Sequence, residues 1–154
     1  MEMPKPQEQH RKLQALAGTW TGEETMFPSP WDPKGGKATG RFQSRLELDG
    51  FFLLTDYVQE RGGQPGYRGH GVYGYDGERS CYTLHWFDSM GSPCGEPMKG
   101  NWRGDSLIFE QAGPMGHSRH TYRFEGENRF SMLMENSQDG KQWTRFLEAT
   151  YARK

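Results

Sequence analysis

The chain has 154 residues, of which 32% are hydrophobic and 14% are aromatic, and its formal net charge is -1. Disordered chains lack aromatic residues and carry a large net charge, so this composition predicts a folded protein of one domain, residues 1–154, with a core built mainly from aromatic rings. The near-neutral charge gives no general attraction to nucleic acid or to an anionic membrane, and no apolar run approaches the roughly 20 residues of a membrane span.

The first residues, Met1 to Pro6, lack the apolar stretch of a secretory signal. We therefore expect a cytoplasmic protein. In a reducing compartment Cys81 and Cys94 are expected to be free thiols, although a disulfide between them is the alternative.

One segment near the N-terminus has the pattern of a helix. Residues 7–17 place Leu13, Leu16 and Ala17 on one face, Pro6 precedes them, and Gly18 follows as a helix end. Residues 1–17 are therefore predicted to form an N-terminal arm and a short helix.

Everything after Gly18 has strand character. In residues 41–48, Phe42, Leu46 and Leu48 alternate with polar side chains, which is typical of a strand with one buried face. Turn signals recur at short intervals, and Asp49-Gly50 is a strong two-residue hairpin signal. They predict ten strands, at residues 18–26, 40–48, 51–60, 67–75, 81–89, 98–103, 106–111, 118–125, 128–136 and 142–152.

An antiparallel series of this length must protect its edge strands, and closure into a barrel does so completely. A sandwich is the main alternative, because turn spacing does not distinguish closed from split sheets. The short helix followed by Gly18-Thr19-Trp20 favours the barrel, with the helix and the Trp20 indole closing one end. The predicted fold is thus an all-β, up-and-down, calycin/lipocalin-like barrel.

Several motifs resemble a bacterial family of calycin-like proteins of unknown function. They are Leu16-Ala17-Gly18-Thr19-Trp20, Pro28-Ser29-Pro30-Trp31, Leu48-Asp49-Gly50-Phe51-Phe52 and His85-Trp86-Phe87-Asp88-Ser89-Met90-Gly91. The resemblance implies a lipocalin-like fold and no particular reaction. Gly18-Thr19-Trp20 also resembles the start of the haem-binding nitrobindins, which are ten-stranded barrels, but it identifies no axial histidine.

The first candidate site residues lie on the first predicted strand. If Trp20 points into the barrel, alternation sends Glu24 and Met26 inward as well. A buried carboxylate is costly unless it is paired, so an inward Arg or His is expected beside Glu24. Glu24 is then either part of a ligand pocket or half of an internal salt bridge.

Residues 27–36 form a long, proline-rich connection around Trp31. It is predicted to lie across the open mouth as a lid, with Trp31 capping the cavity or packing against a second subunit in a homodimer. A stiff connection that Trp31 merely anchors is the alternative.

Gly69 and Gly71 flank His70 on a predicted strand. Glycines inside a strand mark a bend or a close approach of another group. They either leave room for a ligand, with His70 at the site, or fill a tight corner of the barrel.

The segment 85–91 supplies His85, Trp86 and Asp88 as candidate ligand-binding residues. Alternation puts Trp86 and Asp88 on one face and His85 on the other. Asp88 could orient a ligand hydroxyl or amine at the barrel mouth, or it could bind the backbone of the turn that follows.

Metal and nucleophile motifs are absent. His117 and His120 are three residues apart, which on a strand points them to opposite faces. The chain lacks a Gly-x-Ser-x-Gly elbow and a phosphate-binding glycine loop. No metal site is predicted, and the cofactor is unknown.

The leading interpretation is a protein that binds a small apolar or amphipathic ligand in an aromatic lumen. The alternatives are a small enzyme using Glu24, Asp88 or His85 as acid or base, a haem- or NO-binding protein, and an interaction domain whose lumen is filled.

Overall fold

Ten antiparallel strands close into a barrel in the computed structural model, which describes all residues from Met1 to Lys154. Each strand pairs with its neighbours in sequence, and the first strand pairs with the last, so no edge remains open. The predicted barrel is confirmed, and the sandwich is excluded. The strands are β1 Gly18–Met26, β2 Gly36–Glu47, β3 Phe52–Arg61, β4 Gln64–Asp76, β5 Cys81–Asp88, β6 Met98–Arg103, β7 Ser106–Gly113, β8 Gly116–Phe124, β9 Arg129–Ser137 and β10 Thr144–Arg153.

The predicted N-terminal helix is present as two short pieces. An α-helical turn, α1 (Glu8–Arg11), continues as a 3-10 helix over Lys12–Leu16. Leu13 and Leu16 are buried by this tighter winding, because residues three apart share one face of a 3-10 helix. Neither helix is long and apolar enough to cross a membrane.

The helix covers one end of the barrel, here called the closed end. Trp20 lies there, 1% exposed, and its indole Nε1 donates a hydrogen bond to the Leu16 carbonyl oxygen at 3.0 Å. The Phe130 ring packs edge-on against Trp20 with centroids 4.8 Å apart. The void left among the rings at this end is only about 10 Å³. This end is therefore filled, as the position of Trp20 in the sequence indicates.

The connection between β2 and β3 differs from the predicted two-residue hairpin. Glu47 pairs with Phe52, so four residues lie between the strands. Leu48, Asp49 and Gly50 all have positive φ, at 54°, 62° and 90°. Asp and Gly tolerate this region, and Leu48 is carried into it because the strands end one residue earlier than predicted.

The junction between β5 and β6 is the shortest in the barrel. It contains three residue pairs, Tyr82 with Gly100, Thr83 with Lys99, and Leu84 with Met98. The rest of β5 has no partner on this side, and residues 89–97 cross the gap instead. One side-chain hydrogen bond, from Gln111 Nε2 to the Glu96 carbonyl oxygen at 2.7 Å, ties this segment to β7.

Candidate functional site

A cavity of about 680 Å³ occupies the end of the barrel opposite the helix, here called the open end. Of its 28 lining residues, 18 are hydrophobic. Many of the apolar lining residues occupy inward positions of strands. They include Met26, Leu84, Trp86, Met98, Met132 and Met134. Unbranched methionine side chains adapt to an irregular wall, so this lining is apolar without being rigidly shaped.

Glu24 lies on the cavity wall and is 1% exposed. The Tyr57 hydroxyl donates to both of its carboxylate oxygens, at 2.8 and 2.7 Å, and Gln59 Nε2 donates to Oε1 at 2.9 Å. The Tyr151 hydroxyl donates to Oε2. These groups, Glu24, Tyr57, Gln59 and Tyr151, are called the Glu24 cluster below.

The prediction of an Arg or His beside Glu24 is wrong. Every partner of this carboxylate is a neutral donor. Arg45 lies on the outer face and bonds Glu47 and Asp56 instead. Two phenols and an amide satisfy the carboxylate oxygens, yet its negative charge has no counter-charge.

Desolvation and the nearby Glu24 charge raise the pKa of the Tyr57 and Tyr151 hydroxyls far above their usual range. Both phenols therefore stay protonated and act as donors to the carboxylate at any ordinary pH.

A glycine makes room for this carboxylate. Gly40 on β2 lies beside β1, and a Cβ atom built on it would stand 2.2 Å from Glu24 Oε2. Any larger residue at position 40 would displace the carboxylate from its donors. Gly40 is therefore part of the structure that holds the Glu24 cluster.

A second polar group lies on the β4–β5 side of the cavity. Trp86 and Tyr67 both line it, and the indole Nε1 donates to the Tyr67 hydroxyl at 2.8 Å. That hydroxyl donates in turn to Asp88 Oδ2 at 2.7 Å. The other oxygen, Asp88 Oδ1, accepts from the Met90 backbone N–H at 3.1 Å. Asp88 thus binds the turn and orients a ring of the cavity wall, without lining the cavity itself.

The presence of glycine at positions 69 and 71 is explained by neither of the two predictions. A Cβ atom at Gly69 would lie 2.0 Å from Trp86 Cζ2, and one at Gly71 would lie 3.0 Å from Trp86 Cε3. The glycines leave room for the Trp86 indole, which lies flat against them. His70 points the other way, to the outer surface, where its Nδ1 lies 2.8 Å from Asp56 Oδ1. His70 is therefore not part of the cavity wall.

The proposed acid–base residues do not converge. His85 shares the outer face of β5 with the exposed Phe87, Glu24 lies inside the barrel, and Asp88 is at the strand end. The alternation that placed His85 opposite Trp86 is observed. His85, like His70, does not line the cavity, and these three groups form no shared site.

The connection around Trp31 lies at the mouth of the cavity, and its role as a lid stays a prediction. Phe27, Ser29, Trp31 and Asp32 all contribute to the cavity lining, and Trp31 remains 76% exposed. Arg61 Nη2 donates to Asp32 Oδ2 at 2.8 Å, which ties this connection to the end of β3. The role of Trp31 in a homodimer stays a prediction.

Trp20 does not line this cavity, because the ring is packed at the closed end. Its position inside the barrel was predicted, but its neighbours there are other aromatic rings.

His120 is the histidine that lines the cavity. It forms no hydrogen bond with another group of the protein, and burial lowers its pKa to about 4. The imidazole is therefore neutral at neutral pH, with one free donor and one free acceptor.

Sequence reasoning missed Tyr57, Gln59, Tyr151 and His120 as cavity residues. A signal existed, because Tyr57 and Gln59 follow Leu53 and Thr55 in strict alternation on β3. The alternation indicates an inward face, but only the registers of β1 with β10, of β1 with β2 and of β2 with β3 bring these groups to Glu24.

Both cysteines are free, as predicted, with Cys81 buried and Cys94 on the cavity wall. No three His, Cys, Asp or Glu side chains are grouped as metal ligands.

The fold and the cavity define a class of protein, a ten-stranded antiparallel barrel consistent with the calycin/lipocalin type, filled at one end and hollow at the other. The chain belongs to the protein family of unknown function DUF1579, whose sequence profile matches residues 5–153. No curated protein matches it.

A solved structure supports the fold. The chain is similar to Rv2717c from M. tuberculosis with a TM-score of 0.70 and 15% sequence identity, over 96% of this chain and 98% of that one. At this identity the likeness concerns the fold alone.

Proposed function

We propose that the protein binds a small apolar or amphipathic molecule in the lumen of the barrel. The observation that carries the proposal is the cavity of about 680 Å³ at the open end, with its largely hydrophobic wall. Ligand sites of proteins are typically concave, roughly 300–1,000 Å³ in volume, and mostly apolar with a few placed polar groups. The lumen meets each of these conditions.

The polar groups favour an amphipathic ligand over a purely apolar one. The Glu24 cluster and His120 lie on the same cavity wall as Met132 and Met134. A ligand with a polar group can bond to them while its apolar part displaces water from the methionines. Burial of the apolar part supplies the affinity, and the polar groups fix the orientation.

The test is a titration with Nile red, a neutral dye whose emission shifts to the blue in an apolar site. The protein is expected to bind one dye per chain, with a large gain in emission. Met134→Trp, which places an indole in the cavity, is expected to abolish this gain. The matched control is Met115→Trp, because Met115 is 92% exposed on a turn at the open end.

Equal dye binding by the Met134→Trp and Met115→Trp variants would show that the dye binds outside the lumen. Mass spectrometry of the natively purified protein gives a second readout. The absence of both a co-purified small molecule and dye binding would overturn the proposal.

Haem is a second candidate, favoured by one observation. His120 presents a neutral, unbonded imidazole to an apolar cavity, which is what an axial iron ligand requires. The charges of the lining fit less well, because haem propionates need cations and Arg61 is already bonded to Asp32. Addition of haemin tests this candidate. It predicts a Soret band that His120→Ala removes, and a band unchanged in that variant would exclude His120 as the ligand.

We further propose a cytoplasmic location. The two free thiols, Cys81 and Cys94, favour a reducing compartment. Fractionation of the source cells tests this proposal, and recovery of the protein outside the cytoplasm would contradict it.

A further inference from the structure

We propose that the ligand of this cavity is an organic cation, an amine or ammonium group on an apolar body, and that its positive charge lies against Glu24. This inference rests on the proposed binding function and names the chemical class of the ligand. It follows from the charges of the cavity wall, from the bonding of Glu24, and from the aromatic rings around it.

The charges of the lining are unbalanced. The lining contains three carboxylates, those of Glu24, Asp32 and Glu96, and one guanidinium, that of Arg61. Arg61 already donates to Asp32 at 2.8 Å, so it offers no free charge to a ligand. His120 adds none, because burial lowers its pKa to about 4. An anionic ligand would therefore add negative charge to a net-negative lining, whereas a cation would reduce it.

Among these carboxylates Glu24 is the one removed from water. It is 1% exposed, while Asp32 and Glu96 lie at the mouth, where solvent and salt weaken their fields. Its three partners are neutral, so its charge is hydrogen-bonded but not compensated. A buried carboxylate without a cation is costly, and a ligand that brings one recovers part of that cost.

Glu24 also retains capacity to accept another hydrogen bond. Three protons are donated to it, because the single Tyr57 hydroxyl proton is shared between the two oxygens, whereas an ionised carboxylate has roughly four lone-pair positions. Gln59 also contacts Met26 Sδ and the Tyr57 hydroxyl, so its amide has other partners if a ligand replaces it at Oε1. An ammonium N–H can therefore bond to Glu24 without leaving the phenols unpaired.

Aromatic rings surround this position. The centroid of the Tyr57 ring lies 4.7 Å from that of Phe42, 6.0 Å from that of Tyr67 and 6.1 Å from that of Trp86. Electron-rich ring faces attract cations, and the attraction grows when the cation is removed from water. A carboxylate within a group of aromatic rings is complementary to an alkylammonium and to no anion.

The test uses three compounds with one hydrocarbon chain and different head groups: decylamine, decanol and decanoate. Each is titrated against Nile red bound to the full-length protein at pH about 7, below the concentration at which the compound forms micelles. At this pH decylamine is a cation and decanoate an anion. We expect decylamine to bind at least about tenfold more tightly than decanol, which is the scale of a desolvated cation beside rings and a carboxylate. Decanoate should bind more weakly than decanol.

Two variants assign the preference to Glu24. Glu24→Gln keeps the size of the side chain and removes its charge, so decylamine and decanol should bind it with affinities within about twofold of each other. The matched control is Glu110→Gln, which removes the same charge from an exposed position on β7 that does not line the cavity and should keep the preference for decylamine. High salt should leave the preference largely intact, because the Glu24 charge is buried.

Three outcomes overturn the inference. They are equal binding of decylamine and decanol by the natural protein, tighter binding of decanoate, and a preference that persists in folded Glu24→Gln. The first two are read on the natural protein, so they decide even if the variant does not fold. A fourth outcome, dye that binds but is displaced by none of the three compounds, overturns the inference and leaves the proposed binding function standing. The binding function itself fails only if the dye does not bind and no small molecule co-purifies.

Discussion

The closed and open ends of the barrel are formed by the same ten strands with the same alternation of inward side chains, yet one is solid and the other is hollow. At the closed end, Phe130 packs edge to face against Trp20 and at a tilt against Phe42, and a void of about 10 Å³ remains under the helix. At the open end the inward positions leave about 680 Å³. Alternation determines which side chains point inward, whereas ring size and the helix determine whether they meet in the middle.

The largest expected effect is at the closed end. Trp20→Ala removes a 1%-exposed indole and its hydrogen bond to Leu16, so we expect it to lower the free energy of unfolding by about 3–5 kcal/mol. Trp31→Ala, at the 76%-exposed ring of the mouth, should change it by less than about 0.5 kcal/mol. Urea denaturation measures both. Equal losses would break the distinction between the two ends.

A second comparison enlarges a side chain at each end. Leu107 is fully buried, and Leu107→Trp should lower the free energy of unfolding by about 1–3 kcal/mol or more, because the surrounding core has no space. Met134→Trp points into the cavity and should cost less than about 1 kcal/mol. Denaturation midpoints at constant m-value decide between them. A Met134 variant as unstable as the Leu107 variant would mean that the cavity does not accept added volume.

The hollow end should also contribute to the pH dependence of stability. His120 has its pKa lowered by burial from 6.5 to about 4, so between these values the unfolded chain binds more protons than the folded one. Stability from His120 is complete above pH about 6.5 and is lost as the pH falls towards 4, with a slope below about 1.4 kcal/mol per pH unit. Unfolding measured across this range for the natural protein and for His120→Gln isolates the effect. Parallel profiles would contradict it.

The smallest effect is expected at the rim of the cavity. Asp88→Ala removes the acceptor of the Tyr67 hydroxyl and of the Met90 backbone N–H, so we expect a loss of about 1 kcal/mol with Nile red affinity unchanged. Glu96→Ala, which removes an exposed carboxylate, should leave stability unaltered. Thermal unfolding followed by dye titration checks both. Weaker dye binding in the Asp88 variant would show that the orientation of Tyr67 matters to the ligand.

Much of the fold follows from local sequence. The strand positions are set by turn residues and by period-two alternation, which are local properties, and they match the observed strands within a few residues. Trp20 and Glu24 point inward, as their spacing on β1 requires. The helix is the local exception, since the burial of Leu13 and Leu16 favours a 3-10 winding over a longer α-helix.

The partners of Glu24 depend on contacts that are distant in sequence. Tyr57 is 33 residues from Glu24 and Tyr151 is 127 residues away. A charged partner is what local sequence predicts for a buried carboxylate, whereas the barrel satisfies this one with phenols from β3 and β10. Local sequence does not explain Gly69 either, because glycine is needed there to leave room for the indole of Trp86 on the adjacent strand.

The short junction between β5 and β6 has a consequence for the kinetics of the barrel. It has three residue pairs, and the tie between Glu96 and Gln111 is the only side-chain hydrogen bond from residues 92–97 to another strand. Local opening requires least free energy where the fewest hydrogen bonds must break, so backbone amides along this seam should exchange with deuterium before those of the other junctions. Such an opening would expose the lumen from the side. For the proposed ligand, this seam would be a second route out of the lumen beside the mouth around Trp31.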